Sequence, residues 1–269
     1  MKSLRFVGRE FQSESSVVKV GGVSIGGGDF SVIAGPCAVE SRDQILSTAR
    51  AVASAGAGIL RGDAYKPRTS PYAFQGLGQE ALDLLVEARA ETGLPFVAEV
   101  VDPRHVEAVS SVADMLRIGT RNMANYVLLK EVGSQPKPVM LKRSRTATVG
   151  EWLDAAEYIY DSGNHDIVLV ERGIRTFETS TRNTLDISAV PVLKTETHLP
   201  VLVDPSHASG RADIVPSLSR AALAVGADGL LIDVHPDPPR AIVDGAQALT
   251  IEEFEALMGQ LRALESLLG

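Results

Sequence analysis

Ten residues, Arg61-Gly-Asp-Ala-Tyr-Lys-Pro-Arg-Thr-Ser70, concentrate chemistry in this chain. They hold three cations within eight residues, with two hydroxyls behind them, and directly follow the apolar run Gly58-Ile-Leu60. A strand ending in such a loop offers guanidinium, ammonium and hydroxyl donors at one open end. A multiply charged phosphate ester requires that set. The alternative is an ordinary solvated basic loop, because Lys and Arg are mostly surface residues. The rest of the chain decides between them.

Charged and metal-binding residue types recur just past other apolar runs. In chain order they are Cys37; Arg61, Lys66 and Arg68; Glu99; Arg117 and Arg121; Lys142 and Arg143; Glu171 and Arg172; Asp204 and His207; then Asp233, His235 and Asp244. Two chemistries follow. Arg61, Lys66, Arg68, Arg121, Lys142 and Arg172 are six cations that follow several of these runs. Two phosphates and one carboxylate would bring about five negative charges, taking each phosphate as roughly −2. That match fits two phosphorylated substrates, one of them also a carboxylic acid. The second chemistry is metal binding: one Cys, one His and two carboxylates form a mixed sulfur, nitrogen and oxygen set suited to a borderline divalent ion. Each residue has a plainer reading. Cys37 alone reads as a small core residue, His207 as a loop hydrogen-bonder, and a lone Arg as a salt-bridge partner.

The elements that must position these residues alternate regularly. Short apolar runs at 30–34, 58–60, 95–98, 114–118, 138–141, 167–170, 200–203 and 229–232 read as strands buried on both faces. Amphipathic helix patterns lie between them. Ser41-x-x-Gln44, Thr148-x-x-Glu151 and Thr250-x-x-Glu253 are capping-box starts, and Ala55-Gly56 and Val225-Gly226 are stops. Eight strand–helix units without a composition break predict an α/β protein, a (β/α)8 TIM barrel over 30–269, with the active site at the C-terminal ends of the strands. No dinucleotide fingerprint supports an open sheet. Residues 1–29 read as an N-terminal extension holding a short β-hairpin, 17–20 and 23–25, turned at Gly21-Gly22. Gly26-Gly-Gly28 lacks the Gly-Lys-Ser/Thr of a phosphate loop and reads as a turn.

Composition bounds the function. A length of 269 residues suits one barrel of about 250 residues. The net charge of −8 argues against non-specific binding to nucleic acid or an anionic membrane, so cations for an anionic substrate must be gathered locally. The single cysteine, Cys37, permits no intramolecular disulfide. The N-terminus lacks a signal-peptide apolar core, and no apolar run nears the roughly 20 residues of a membrane span. A cytoplasmic location is expected.

Motifs then carry a resemblance. Tyr65-Lys-Pro-Arg-Thr-Ser-Pro-Tyr72 with Phe74-Gln-Gly-Leu-Gly78 resembles the signature of the 3-deoxy-D-arabino-heptulosonate 7-phosphate synthases. Gly35-Pro-Cys37, Ile118-Gly-Thr-Arg-Asn122, Leu141-Lys142, Glu171-Arg-Gly-Ile-Arg175, Thr181-Arg-Asn-Thr-Leu-Asp186 and Asp204-Pro-Ser-His-Ala-Ser-Gly210 resemble it too, in order from about residue 30 onward. The nearest branch is the short microbial type I-beta. The resemblance implies condensation of phosphoenolpyruvate with erythrose 4-phosphate, the entry to the shikimate pathway. It implies a divalent metal (Mn2+, Co2+, Zn2+, Fe2+ or similar) on Cys37, His207, Asp233 and Asp244. Arg61, Lys66, Arg121, Lys142 and Arg172 would bind phosphoenolpyruvate, and Arg68, Thr69 and Ser70 erythrose 4-phosphate. Lys66, Cys37 and His207 would be the catalytic group. Relatives are commonly homotetramers. With only residues 1–29 before the barrel, feedback inhibition by Phe, Tyr or Trp is not expected. One departure stands out: the family usually has glutamate where this chain has Asp233, whose stem is one methylene shorter.

Glu99 and Glu171 are both candidates for handling the water that adds to the enol carbon. Three competing functions remain. The 3-deoxy-D-manno-octulosonate 8-phosphate synthases use arabinose 5-phosphate but typically carry Lys-Ala-Asn-Arg-Ser-Ser at the loop beginning with Lys66. A Schiff-base aldolase would use Lys142 or Lys66 as nucleophile, with Arg143 lowering the pKa. A non-catalytic sugar-phosphate-binding barrel gives no reason for the metal-type residues.

Overall fold

The computed structural model describes residues 4–68 and 70–268. A hairpin of β1 (Val18–Val20) and β2 (Val23–Ile25) precedes a closed parallel barrel. The barrel strands are β3 (Ser31–Gly35), β4 (Ile59–Arg61), β5 (Phe96–Glu99), β6 (Met115–Ile118), β7 (Val139–Lys142), β8 (Ile167–Glu171), β9 (Val201–Val203) and β10 (Gly229–Asp233). They neighbour one another in chain order, and β10 closes onto β3. The helices are α1 (Arg42–Ala55), α2 (Gln79–Thr92), α3 (Val106–Val112), α4 (Tyr126–Gly133), α5 (Val149–Asp161), α6 (Ala189–Glu196), α7 (Pro205–Ser209), α8 (Val215–Ala224) and α9 (Ile251–Leu268).

Local sequence explains the joints. Thr148 and Glu151 complete the expected reciprocal capping box, as do Thr250 and Glu253. At α1 only half the box forms: Ser41 accepts from the Gln44 N–H, while the Gln44 amide oxygen takes the Glu40 N–H instead. Gly56 closes α1 in the left-handed conformation with φ 98°. Gly35 has φ 149°, and a Cβ there would lie 2.2 Å from the Arg61 carbonyl oxygen, so only glycine lets β3 approach β4 at the rim.

The barrel interior is built in layers. Ile33, Ile59, Val97, Met115, Met140, Val168, Leu202 and Leu231 form an inner apolar cluster with Val18, Val20 and Ile25 of the hairpin. The hairpin therefore closes the N-terminal end of the barrel. Side chains alternate along a strand, so the residue two further on faces the same way. Six of those eight positions are charged and buried, Arg61, Glu99, Arg117, Lys142, Asp204 and Asp233; the other two are Gly35 and Val170. A charged layer thus stands directly above an apolar floor. This layer also explains why β4, β5, β7 and β10 run one residue past their apolar ends, to Arg61, Glu99, Lys142 and Asp233; β8 extends likewise to the buried Glu171, which faces the other way from Val170. Hydrophobicity stops there, but ladder pairing continues, as in Glu99 with Arg117 and Glu171 with Val203. The neighbouring residues Val32, Ala34, Phe96 and Ala98 face outward and join the larger cluster under the helices.

Candidate active site

The C-terminal rim holds a cavity of about 330 Å³. Lys66, Arg68, Ser70, Arg121, Lys142 and Arg172 all line it, as expected of substrate ligands. Thr69, the remaining residue of that loop assigned to substrate, lies outside the described residues. Arg61 is not on the wall. It is fully buried beneath, ion-paired with Asp233.

The cations are largely balanced before any substrate arrives. Arg61 pairs with Asp233, Lys66 with Asp63 at 2.6 Å, and Lys142 with Asp204 at 2.5 Å. Arg117 is shared by Asp63 at 2.5 Å and Glu99 at 2.7 Å. The simple match of six cations to about five substrate charges therefore fails, because three of the six already have buried counter-ions. The residue-type count missed Asp63, although it lies inside the opening stretch three residues before Lys66. It also gave no role to Arg145 and Arg182, which line the cavity. Their signal was the Arg-rich sequence between β7 and β9, not strand-end position.

Burial shifts these groups in ways their neighbours explain. It pulls the Lys142 ammonium down to about 8; Asp204 opposes this, while Arg117 and Arg61 add to it. Burial also pulls on Lys66, but Asp63 and Cys37 outweigh it and hold the ammonium charged. For Asp63 burial pushes upward, but Arg117, Lys66 and Arg61 more than offset it, keeping the carboxylate ionised. Burial lowers the Arg172 guanidinium to about 10. Arg172 donates once, to the His207 carbonyl at 3.2 Å, while its Nε and Nη1 are buried with no hydrogen-bond partner. Arg117 Nε is likewise unpartnered. Each unsatisfied buried donor costs about 1–3 kcal/mol, so an anion entering this cavity would satisfy donors already desolvated for it.

Cys37, His207 and Asp244 come together beside the cavity, their ligand atoms within 4.8 Å of one another. Cys37 Sγ is 3.6 Å from His207 Nε2 and 3.3 Å from Asp244 Oδ2, and Nε2 is 3.6 Å from Oδ2. A tetrahedral ion with bonds of about 2.0–2.3 Å spaces its ligands by about 3.4–3.6 Å, so the donor set fits one. Asp204 lies 3.0 Å from His207 Nδ1, which directs that proton inward and leaves Nε2 as the ligand. Burial keeps the imidazole pKa below its usual value, against the pull of Asp204. Burial also raises the Cys37 thiol to about 12 despite Lys66, so metal binding must displace its proton. Asp244 is raised by burial, but His207 and Arg182 outweigh this and set it at about 2. It is the one non-glycine residue with positive φ among those described, at 55°, a conformation that aspartate tolerates and that clusters at functional sites.

Asp233 does not join this group. Arg61 and the Gln247 amide, at 2.6 Å, hold its carboxylate. It approaches His207 only from the Nδ1 side, at 3.4 Å, opposite the nitrogen that faces Cys37 and Asp244. The structure also separates the two glutamates. Glu99 lines the cavity. Glu171 is fully buried, held by Arg143 at 2.9 Å and by the Gly173 N–H at 2.6 Å.

A parallel barrel with a thiol–imidazole–carboxylate group beside a cation-lined cavity defines an enzyme of anionic substrates. Comparison with known proteins makes this particular: the profile of the DAHP synthetase I family matches residues 10–268, and the chain belongs to that family. The phospho-2-dehydro-3-deoxyheptonate aldolase of Thermotoga maritima is 51% identical, over all of this chain and 80% of the relative. Its crystal structure superposes with a TM-score of 0.97 at 50% identity, covering 100% of this chain and 78% of that one. A truncated form of the 3-deoxy-D-arabino-heptulosonate 7-phosphate synthase from the same organism gives 0.93 at 47% identity, covering 98% of this chain and 97% of that one. A 2-dehydro-3-deoxyphosphooctonate aldolase of Syntrophotalea carbinolica is 32% identical, over 93% of this chain and 96% of its own.

Proposed function

We infer that the chain condenses phosphoenolpyruvate with D-erythrose 4-phosphate and water, giving 3-deoxy-D-arabino-heptulosonate 7-phosphate and phosphate, the first step of the shikimate pathway. The geometric observation that carries this reading is the pair of unpartnered Arg172 donors on a cavity that also borders His207 and Asp244, which cluster with Cys37 behind them. Anion binding and metal-type ligands share one space.

Arg172, Arg121 and Lys142 hold the carboxylate and phosphate of phosphoenolpyruvate. Arg68 and Ser70, nearer the loop, hold the phosphate of the aldehyde. Fixing both anions brings the methylene carbon of the enol within attack range of the aldehyde carbon. A divalent ion on Cys37, His207 and Asp244 would supply Lewis acidity toward the aldehyde oxygen. Glu99 orients the water that adds at the enol carbon, a role supported by its position on the cavity lining, which Glu171 lacks. Phosphate then leaves by carbon–oxygen cleavage, its charge met by the guanidinium groups. Arg61 acts from beneath, as the counter-ion of Asp233.

Offering erythrose 4-phosphate and arabinose 5-phosphate separately, with phosphoenolpyruvate, tests the reading. Phosphate release and sugar-acid formation are expected with the four-carbon aldehyde. Turnover of only the five-carbon aldehyde would transfer the chain to the octulosonate reaction. Lys142 has the lowered pKa that a Schiff-base nucleophile needs, but the Asp204 carboxylate 2.5 Å away favours its charged form. No adduct is expected on borohydride trapping. A cytoplasmic homotetramer is the expected setting, checked by sedimentation equilibrium.

A further inference from the structure

Lys66 lines the cavity, where its motif implies a substrate ligand, yet its ammonium has no N–H to spare. One donates to Asp63 Oδ2 at 2.6 Å, one to the Cys37 carbonyl at 3.1 Å and one faces Cys37 Sγ at 3.2 Å. An ammonium has three donors. Asp63 Oδ2 is also the acceptor of Arg117 Nη2 at 2.5 Å and lies 3.6 Å from Arg61 Nη2. Asp63 Oδ1 is buried with no partner. One oxygen of a fully buried carboxylate therefore gathers three cations from three places: the end of β4, the loop after it and the end of β6.

We propose that Asp63 is a positioning residue for the reaction: its Oδ2 sets the places of Lys66, Arg117 and Arg61, and through Lys66 it holds the Cys37 segment against the cavity. The residue touches neither substrate, since it is absent from the cavity lining. Its action runs through cations that do border the cavity, Lys66 and Arg117. Without it, three mutually repelling cations would share a buried space with no common acceptor, and the Cys37 carbonyl and thiol would lose a fixed donor. The competing view makes Asp63 a bare counter-charge. The two views differ in sign. A counter-charge next to an anion site weakens substrate binding, so its removal should lower KM for phosphoenolpyruvate and leave kcat alone. A positioning residue preorganises donors for the transition state, so its removal lowers kcat.

This inference rests on the phosphoenolpyruvate reading of the cavity, which wild-type turnover tests separately before any variant is compared. The experiment measures kcat and KM for each substrate in metal-loaded Asp63→Asn and Asp63→Glu, normalised to folded protein and metal content. Positioning predicts that kcat falls by about tenfold or more in both variants, including Asp63→Glu, which keeps the charge but moves it by one methylene. The proposal is overturned if kcat of Asp63→Glu stays within about threefold of wild type, or if Asp63→Asn only lowers KM for phosphoenolpyruvate. Should Asp63→Asn not fold, the charge-conserving variant alone decides, because a counter-charge role leaves its kcat unchanged.

Discussion

At the scale of single residues, the site depends on a few atoms with settled partners. Cys37→Ala removes one of three clustered candidate ligands. We expect metal content and turnover to fall by more than about 100-fold, beyond the usual loss for an outer-shell residue, with a melting temperature close to wild type. Asp204→Asn leaves all three ligands but weakens the hold on His207 Nδ1. Its expected cost is about 10–100-fold in metal affinity, read by competition with a chelator. Lys142 gives a pH signature. With its ammonium at about 8, instead of 10.5, it is charged below that pH and neutral above. Anion binding should therefore weaken as pH rises through about 8, and KM for phosphoenolpyruvate should climb up to tenfold per pH unit. Lys142→Arg should lose that limb. Stability moves oppositely: the cost of burying the charge is present in full below about 8 and is relieved between about 8 and 10.5, where the unfolded chain binds more protons. A profile whose alkaline limb is unchanged in Lys142→Arg would assign it elsewhere.

At the scale of elements, much was legible and the remainder has a physical cause. All eight barrel strands and the hairpin lie where apolar runs and glycines put them. The C-terminal ends of β4, β5, β7, β8 and β10 do not, because hydrophobicity cannot report a strand that continues into buried charged residues. Cys37, His207 and Asp244 were legible as metal-type residues. That Arg61 and Asp233 would satisfy each other was not, since both are rim residues by sequence and their pairing depends on β4 and β10 flanking the same strand, β3. Glycine at the end of β6 carries another constraint. A Cβ on Gly119 would lie 2.0 Å from Glu99 Oε1. Gly119→Ala must displace that carboxylate from the cavity, so we expect kcat to drop by about 100-fold, the scale of losing one acid–base group, with little change in thermal melting. At the opposite end, Val20→Asp would place a charge in the barrel floor, and urea unfolding should show a loss of about 3 kcal/mol or more.

At the scale of the whole molecule, the apolar floor and the outer helical shell are separate from the charged rim. Fold and metal should thus be separable: chelation should abolish turnover while leaving the circular dichroism spectrum unchanged. A chelated protein that loses helix signal would contradict this. The closure of β10 onto β3 has a different consequence, one of timing. Cys37 is 170 residues from His207 and 207 from Asp244 along the chain. At roughly 5–20 residues per second of synthesis, the thiol leaves the ribosome some ten to forty seconds ahead of the carboxylate it will meet. A nascent chain has no binding site to offer, only a solitary cysteine among unfinished strands. Metal acquisition would therefore wait until synthesis has passed Asp244, and the ion would give no help in assembling the first seven barrel strands.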